Sequence, residues 1–458
     1  MKREQLNRLT EWFKKPNRKP LVIRGARQVG KSTLVSLFSE TRNVSSMALV
    51  NLERHIDLNS TFKSNNPHKI LNILEMLPGI NTVTDDTLLF LDEIQAVPEA
   101  IPALRYFYEE LPGQPLIAAG SLLEFVLSEH QFSMPVGRVE YLHLGAMTFT
   151  EFLEGIGENK LAEFIRTFQW SDTIESYVHN RLMELLRIYF FVGGMPEAVQ
   201  VYAETRRFKA VSEVHNSIIE TYREDFPKYI GSRNLSRMQN VFNFAARSIG
   251  KKVKYSQFSN QDKSATIKAD IELLCMARVL SKVIHSHANG LPLQAEMEDK
   301  IYKLIFLDIG LMNAICGLGY DVIAKMSETN LVNEGVIAEQ FIGQHLQTML
   351  SESPNRQLNY WLRQGRSSNA EVDYIWSLNG QIIPIEVKSG ATGRLKSLHQ
   401  FAGEKKVPLA VRFDAGIPSQ QRIDTTIKQA GKTVEINYQL ISLPLYLVER
   451  LNGLDFKS

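Results

Sequence analysis

Cysteine is nearly absent from this chain of 458 residues; the two present are Cys275 and Cys316. Both lie in apolar, helix-compatible surroundings, and neither belongs to a Cys-x-x-Cys pair. A disulfide framework and a thiolate metal site are therefore excluded, leaving two buried thiols in a reducing cytosol. Net charge is nearly absent as well: 52 Lys and Arg offset 50 Asp and Glu, for a formal +2. That excludes a strongly basic coat, so any nucleic-acid surface has to be local. No run of about eighteen apolar residues occurs, and no membrane-spanning helix is expected. The opening residues, Met1 to Leu9, are charged and amphipathic and lack the apolar centre of a signal peptide. The expectation is a cytoplasmic protein with no membrane partner. Repeats and low-complexity tracts are missing too. The ten histidines are scattered; His285 and His287 share one strand face, but no carboxylate or thiol partner is evident, so no zinc site is read there.

What the chain does have is an ordinary globular composition, 44% apolar and 22% charged. Its length calls for two to four domains. Short apolar runs at Leu21-Val22-Ile23, Ser45 to Glu53, Leu88 to Leu91, Leu116 to Ala119 and Val139 to Leu144 alternate with helical stretches. Five buried strands separated by helices predict a parallel α/β sheet.

The first of these strands runs into Gly25-Ala26-Arg27-Gln28-Val29-Gly30-Lys31-Ser32-Thr33, which fits Gly-x-x-x-x-Gly-Lys-Ser/Thr. A chance match is expected only about 0.02 times in a chain this long. The glycines let successive N–H groups face phosphates, Lys31 reaches the β and γ phosphates, and the Ser32 hydroxyl suits Mg²⁺. ATP and Mg²⁺ are the expected cofactors. The strand Leu88 to Leu91 ends in Asp92-Glu93. Asp92 there can hold the metal through water, and Glu93 can polarise an attacking water. Ser121 ends the next strand, where a small hydroxyl can hold water or the γ-phosphate, cap the helix beginning at Leu122, or do both. Arg138 precedes the fifth strand and reads either as a cation for the γ-phosphate or as a surface salt-bridge arginine.

These residues resemble the bacterial and archaeal AAA-family ATPases that carry a C-terminal domain of unknown function, DUF4143. Arg24 to Thr33 looks like that family's phosphate loop, and Phe90-Leu91-Asp92-Glu93-Ile94-Gln95 like its second motif. Gly120-Ser121, Gly137-Arg138 and Phe149-Thr150-Glu151-Phe152 keep the family order. Gly193-Gly194-Met195-Pro196-Glu197 and Lys303 to Leu311 resemble its later turn and its apolar Asp-x-Gly-Leu segment. The resemblance spans nearly the whole chain. It implies an ATPase with catalytic Lys31, Glu93 and Ser121. It also implies that Arg138 acts as an arginine finger on a neighbouring subunit, hence a homo-oligomer.

After about Thr150 the texture changes. Residues 151–234 read as a helical lid region. Residues 235–325 carry helix, helix and two strand-like segments (Val279 to His285, Lys303 to Leu307), the order of a winged helix. Ser264 to Leu274 has recognition-helix spacing, with Lys263, Lys268, Lys251, Lys252 and Lys254 nearby. DNA contact and protein contact fit this equally. Residues 326–458 alternate strands with a helix. Here Asp373 on one strand and Glu386-x-Lys388 on the next resemble the PD-(D/E)xK nuclease fold. Residues 386 and 388 share a strand face. Asp373 and Glu386 would bind Mg²⁺, Lys388 would orient water, and helical Glu339 would support them. The other reading is a paired Lys–Glu face on an edge strand. Arg363, Arg366, Arg394, Trp361 and Trp376 read either as a local nucleic-acid surface or as solvated arginines and core tryptophans.

The expected architecture is thus an α/β chain. It comprises a P-loop AAA+ core over 1–150, the helical region, the winged helix and a restriction-endonuclease-like C-terminal domain. Two functions follow. One is an ATPase that acts on DNA through the C-terminal domain. The other is an ATP-dependent oligomeric switch that recruits a protein partner without cutting.

Overall fold

The computed structural model describes residues 2–41, 46–121, 123, 135, 137–230, 234–324, 334–350, 357–363, 370–388, 390, 395–429 and 432–455. The chain divides into two units, Met1–Ala146 with Met276–Val279, and Met147–Cys275 with Leu280–Ser458.

In the first unit the five apolar runs become strands β1 (Leu21–Arg24), β2 (Ser46–Asn51), β3 (Thr87–Asp92), β4 (Leu116–Gly120) and β5 (Glu140–His143). They form one parallel sheet in the order β2-β3-β4-β1-β5. β3 and β4 are buried at every position, which is why they read as unbroken apolar runs. The edge strand β2 mixes buried and exposed positions. The helix Ala100–Glu110 turns Ala100, Ile101, Ala103, Leu104 and Phe107 inward, a helical stripe that joins Leu89, Leu91 and Ala118 in one core. Truncating Phe107 to alanine would cost about 3–5 kcal/mol. The register pairs Ile23 with Ala119, Arg24 with Gly120 and Leu91 with Ala118. The loops that leave β1, β3 and β4 therefore emerge side by side along one edge.

The second unit begins with helices, including Phe149–Gly155, Ser176–Val192, Pro196–Thr205 and Phe208–Ile230. It continues into an eight-stranded mixed sheet. The strands are β6 (Leu280–Ser286), β7 (Met297–Phe306), β8 (Leu358–Arg363), β9 (Ala370–Leu378), β10 (Gln381–Val387), β11 (Leu409–Asp414), β12 (Ser419–Gln429) and β13 (Lys432–Pro444), in the order β12-β13-β11-β10-β9-β8-β6-β7. The helices Leu235–Arg247 and Ser264–Met276 precede β6 and β7, as a winged helix would have it. Yet these two strands do not stand apart as a wing: β6 pairs in parallel with β8, so the hairpin is one end of the large sheet. Its buried apolar residues, Val283, Leu304 and Ile305 among them, account for this, because a free wing would leave them in water. β12 is absent from the sequence reading. It is a largely polar edge strand paired with β13, in which Ile423 and Ile427 pack on the core, too sparse a pattern to announce it.

Asp308 ties distant segments of this unit together. Fully buried, it accepts hydrogen bonds from the Gly194 amide (2.6 Å) and the Leu311 amide (2.9 Å), capping the helix Ile309–Ile315. Burial pushes its carboxyl up to about 6, against the pull of those donors. The Gly193-Gly194 turn and the Asp308-Ile309-Gly310-Leu311 segment are thus a single hydrogen-bonded junction. Among the described residues, no helix is long and apolar enough to cross a membrane.

Candidate functional site

The loop Gly25–Gly30 joins β1 to the helix Lys31–Thr41. Gln28 (φ 63°) and Gly30 (φ 88°) are both left-handed, the backbone reversal that lets consecutive amides face one anion. A side chain at Gly25 would collide with the Leu144 carbonyl, so the loop lies tight on the strand-β5 connection. Lys31 is buried and folds back on the loop, donating to the carbonyls of Ala26 (2.8 Å) and Gly25 (3.2 Å). The Ser32 hydroxyl donates to Asp92 Oδ2 across 2.8 Å. The two motifs, sixty residues apart, therefore meet side chain to side chain. Burial raises the Asp92 carboxyl above its ordinary value, offset in part by the Ser32 hydroxyl. A buried acid beside a P-loop serine and lysine is the donor set expected of a Mg²⁺–nucleotide site, and these residues fit one.

Glu93 turns out of the strand with a left-handed backbone (φ 52°), and its Oε2 accepts from Gln95 Nε2 at 2.5 Å. Ser121 is buried at the end of β4, between the phosphate loop and Asp92 in strand order. A residue that the sequence did not single out braces the loop from behind: Arg3 donates to the Val29 carbonyl (3.1 Å) and the Gly145 carbonyl (2.8 Å).

Arg138 lies elsewhere. β1 and β5 run parallel with Leu21 opposite Glu140, so Arg138 precedes β5 at the edge where β1 begins, while the phosphate loop leaves the other edge. A four-residue strand separates these edges by about 13 Å. The Arg138 side chain is 44% exposed; its Nε pairs with Glu109 Oε1 at 2.9 Å and its guanidinium lies over the Tyr108 ring. The Glu109 contact raises the guanidinium and lowers the carboxyl. Arg138 is therefore not assembled with Lys31, Asp92 and Glu93 within one chain.

In the second unit Glu339, Asp373, Glu386 and Lys388 do come together. Glu386 follows Ile385 on β10, whose partner is Tyr374, so it lies beside Asp373. Lys388 Nζ meets Glu386 Oε1 at 2.5 Å, and Asp373 Oδ2 accepts from the Val387 amide at 2.8 Å. The sequence reading missed two members. Lys303 on β7, with 1% of its side chain exposed, places Nζ 2.6 Å from Glu339, 2.9 Å from Glu371 and 3.8 Å from Asp373. A lone lysine opening an apolar run, and an acid two residues before Asp373, were the available signals. Burial pushes Glu386 up to about 8 and Glu339 up to about 7; Asp373 raises both further, and a lysine pulls each back. Lys303, despite its burial, is raised by the surrounding carboxylates. Glu386 Oε2 is buried with no hydrogen-bond partner. A buried, unbonded oxygen on an acid of raised pKa is one that a cation would satisfy, so the cluster fits a divalent ion.

Three stretches of the chain match known families. Residues 17–153 match the AAA domain, residues 334–444 match DUF4143, a domain of unknown function, and residues 183–321 match DUF8612, a further domain of unknown function. The chain thus carries an AAA domain and a DUF4143 domain. Its AAA domain has the fold of a P-loop ATPase. Among solved structures, similarity is to the Walker-type ATPase of Pyrococcus abyssi (17% identity, 69% of this chain and 95% of that one, TM-score 0.42). It extends to the Aeropyrum pernix ORC1 protein in complex with DNA (13%, 68% and 91%, TM-score 0.28). The Thermotoga maritima RuvB Holliday junction branch migration motor is also similar (13%, 62% and 90%, TM-score 0.27). No curated protein matches the sequence.

The surface sketched around the DUF4143 strands changes character. Trp361 is core, edge-on to Phe401, and Trp376 is buried with Nε1 bonded to Asn452. Arg363 is paired with Glu404 at 2.6 Å. Arg366 and Arg394 lie outside the described residues. Lys251, Lys252, Lys254, Lys263 and Lys268 are exposed. Cys275 and Cys316 are free thiols, only partly buried. For His285 and His287 the missing carboxylate exists: Glu298, on the neighbouring strand, which the intervening turn hid from the sequence reading.

Proposed function

We propose that this protein binds and hydrolyses ATP in an oligomer and directs that cycle to DNA through its DUF4143 domain. The observation that carries the ATPase reading is the Ser32–Asp92 contact behind the phosphate loop. In this reading the amides of Gly25–Thr33 and Lys31 hold the phosphates, while Ser32 and Asp92 hold Mg²⁺. Bound Mg²⁺ neutralises charge on the β and γ phosphates. Glu93 polarises water once Gln95 releases it, and Ser121 orients that water. Arg138 serves the neighbouring subunit's nucleotide, a role that its distance from its own phosphate loop supports. In the DUF4143 domain, Asp373 and Glu386 hold a divalent ion, Lys388 orients water and Glu339 supports the pair.

Lys303 favours a second reading. An ammonium already seated among Glu339, Glu371 and Asp373 suits a domain that binds without cutting, so that ATP works as an oligomeric switch that recruits a protein partner. One experiment separates the two: purified protein with ATP, Mg²⁺ and several DNA forms, scored for phosphate release and strand cleavage. Under the first reading DNA stimulates turnover, and nicking disappears in Glu386→Ala. Slow turnover and no nicking point to the switch. Lys31→Ala must abolish nucleotide binding under both, and unchanged affinity would refute the ATP site itself.

A further inference from the structure

We propose that His285, His287 and Glu298 form a binding site for a divalent transition-metal ion of the zinc type, clamped between β6 and β7. His285 lies on β6 and His287 directly follows its last residue, two positions on and toward the same side. The antiparallel partner β7 sets Glu298 directly opposite His285, next to a β-bulge in β6. One ligand atom from each side chain lies within 4.8 Å of the others, and the two imidazole centroids are 4.9 Å apart. Zinc bonds of about 2.0–2.2 Å put ligand atoms roughly 3.3 Å from one another, so closure needs about 1 Å of side-chain movement and no backbone change.

The three residues are graded in exposure. His285 is buried, Glu298 is half-buried and His287 is exposed. The fixed ligand is therefore at the bottom, the adjustable ones are at the rim, and a coordination position is left to water. Two imidazoles and one carboxylate suit zinc, cobalt or nickel, whereas magnesium and calcium prefer all-oxygen sets. The Leu362 amide donates to His285 Nδ1 at 3.2 Å, and Tyr360 is a further backbone partner of the ring. An ion at Nδ1 would therefore displace the Leu362 amide, and an ion at Nε2 would require the ring proton to move to Nδ1. Among nearby charges, Lys252 opposes an ion and Glu296, beside His287, favours one.

The site is chemically distinct from the acidic cluster, yet only one ring away. The Tyr360 ring lies 5.7 Å from the His285 ring, and Lys303 Nζ lies 5.0 Å from the same tyrosine. An ion held by the histidines would pin the β6–β7 hairpin that carries Lys303.

The test uses tag-free, chelator-stripped full-length protein, titrated with ZnCl₂ by calorimetry and with Co²⁺ by visible absorption. The expected result is about one ion per chain and a Co²⁺ spectrum of low coordination number. His287→Ala should weaken zinc binding by more than about tenfold, and His287→Cys should restore it, because a thiolate is a zinc ligand. His287 is exposed, so both variants should keep the melting temperature of the metal-free protein. Glu386→Gln should leave zinc binding unchanged. Absence of zinc binding in the wild type, unaltered binding in His287→Ala, or displacement of zinc by excess Mg²⁺ would each overturn the proposal.

Discussion

Replacing Lys303 with methionine keeps most of the side-chain volume and removes the charge. In the native protein the ammonium sits between Glu339 and Glu371, with Asp373 just beyond. Breaking such a buried ionic network by deleting one partner costs about 3–5 kcal/mol. In a domain of this size that corresponds to a loss of roughly 6–20 °C in melting temperature. The loss should depend on pH, and its sign can be worked out. Lys303 itself has a raised pKa, so its own contribution is complete below the ordinary lysine value and does not change between pH 5.5 and 8.5. The carboxylates do change. Glu339 and Glu386 sit at about 7 and about 8, so the folded state keeps protons that the unfolded chain has released. Stability therefore falls as pH rises from the ordinary carboxylate range toward those values. Lys303 lowers both pKas, so its removal raises them further and steepens that fall. Calorimetric unfolding in chelator should show a small deficit for Lys303→Met at pH 5.5 and the full one at pH 8.5. Equal deficits at both pH values would mean that Lys303 acts through its packed stem alone, and the ionised network would be refuted.

Other expectations are more local. Arg3→Ala removes two charge-assisted bonds to the backbone around the phosphate loop, so nucleotide affinity should fall by about tenfold or more with turnover per bound nucleotide retained; a fluorescent-nucleotide titration reads this, and unchanged affinity would discard the brace. Asp308→Asn turns an acceptor into a donor facing the Gly194 or Leu311 amide and should cost about 2–4 kcal/mol in thermal unfolding. Arg138→Ala should lower ATP turnover and spare nucleotide binding. Mixed with Glu93→Gln it should recover activity only if Arg138 works between subunits, and lack of recovery would place its action within one chain.

The nucleotide half was the more legible, for a physical reason. A phosphate loop is a local device: its glycines, lysine and serine are consecutive, and the strand and helix that hold it flank them in sequence. That five strands form a parallel sheet was equally open, because the buried strands β3 and β4 carry unbroken apolar runs, though the order of the strands was not. Arg3 was not legible. Its role depends on a carbonyl at Val29 and another at Gly145 that only the closed sheet brings to one place. The hairpin β6–β7 was read as strands but assigned to a wing, since pairing with β8 leaves no mark on its own residues. β12 was missed because an exposed edge strand has little hydrophobic pattern to show.

The acidic cluster divides the same way. Asp373, Glu386 and Lys388 lie close in sequence and could be grouped by strand spacing, whereas Lys303 arrives from a strand seventy residues upstream. Its presence changes the charge argument. Glu339, Glu371, Asp373 and Glu386 carry four negative charges when ionised, and Lys303 and Lys388 return two. The remainder equals the charge of one divalent ion. Within the cluster the cations are unevenly spread: Lys303 leans on Glu339 and Glu371, Lys388 engages one oxygen of Glu386, and the other oxygen, Oε2, is left buried and unbonded. An ammonium so placed does not stand where an ion between Asp373 and Glu386 would go; it neutralises the flank and reduces the repulsion that such an ion would otherwise have to overcome alone. Lys303 then favours binding over cutting without closing the site to a metal, and a cutting role rests on whether Lys388 can leave Glu386 to meet a water.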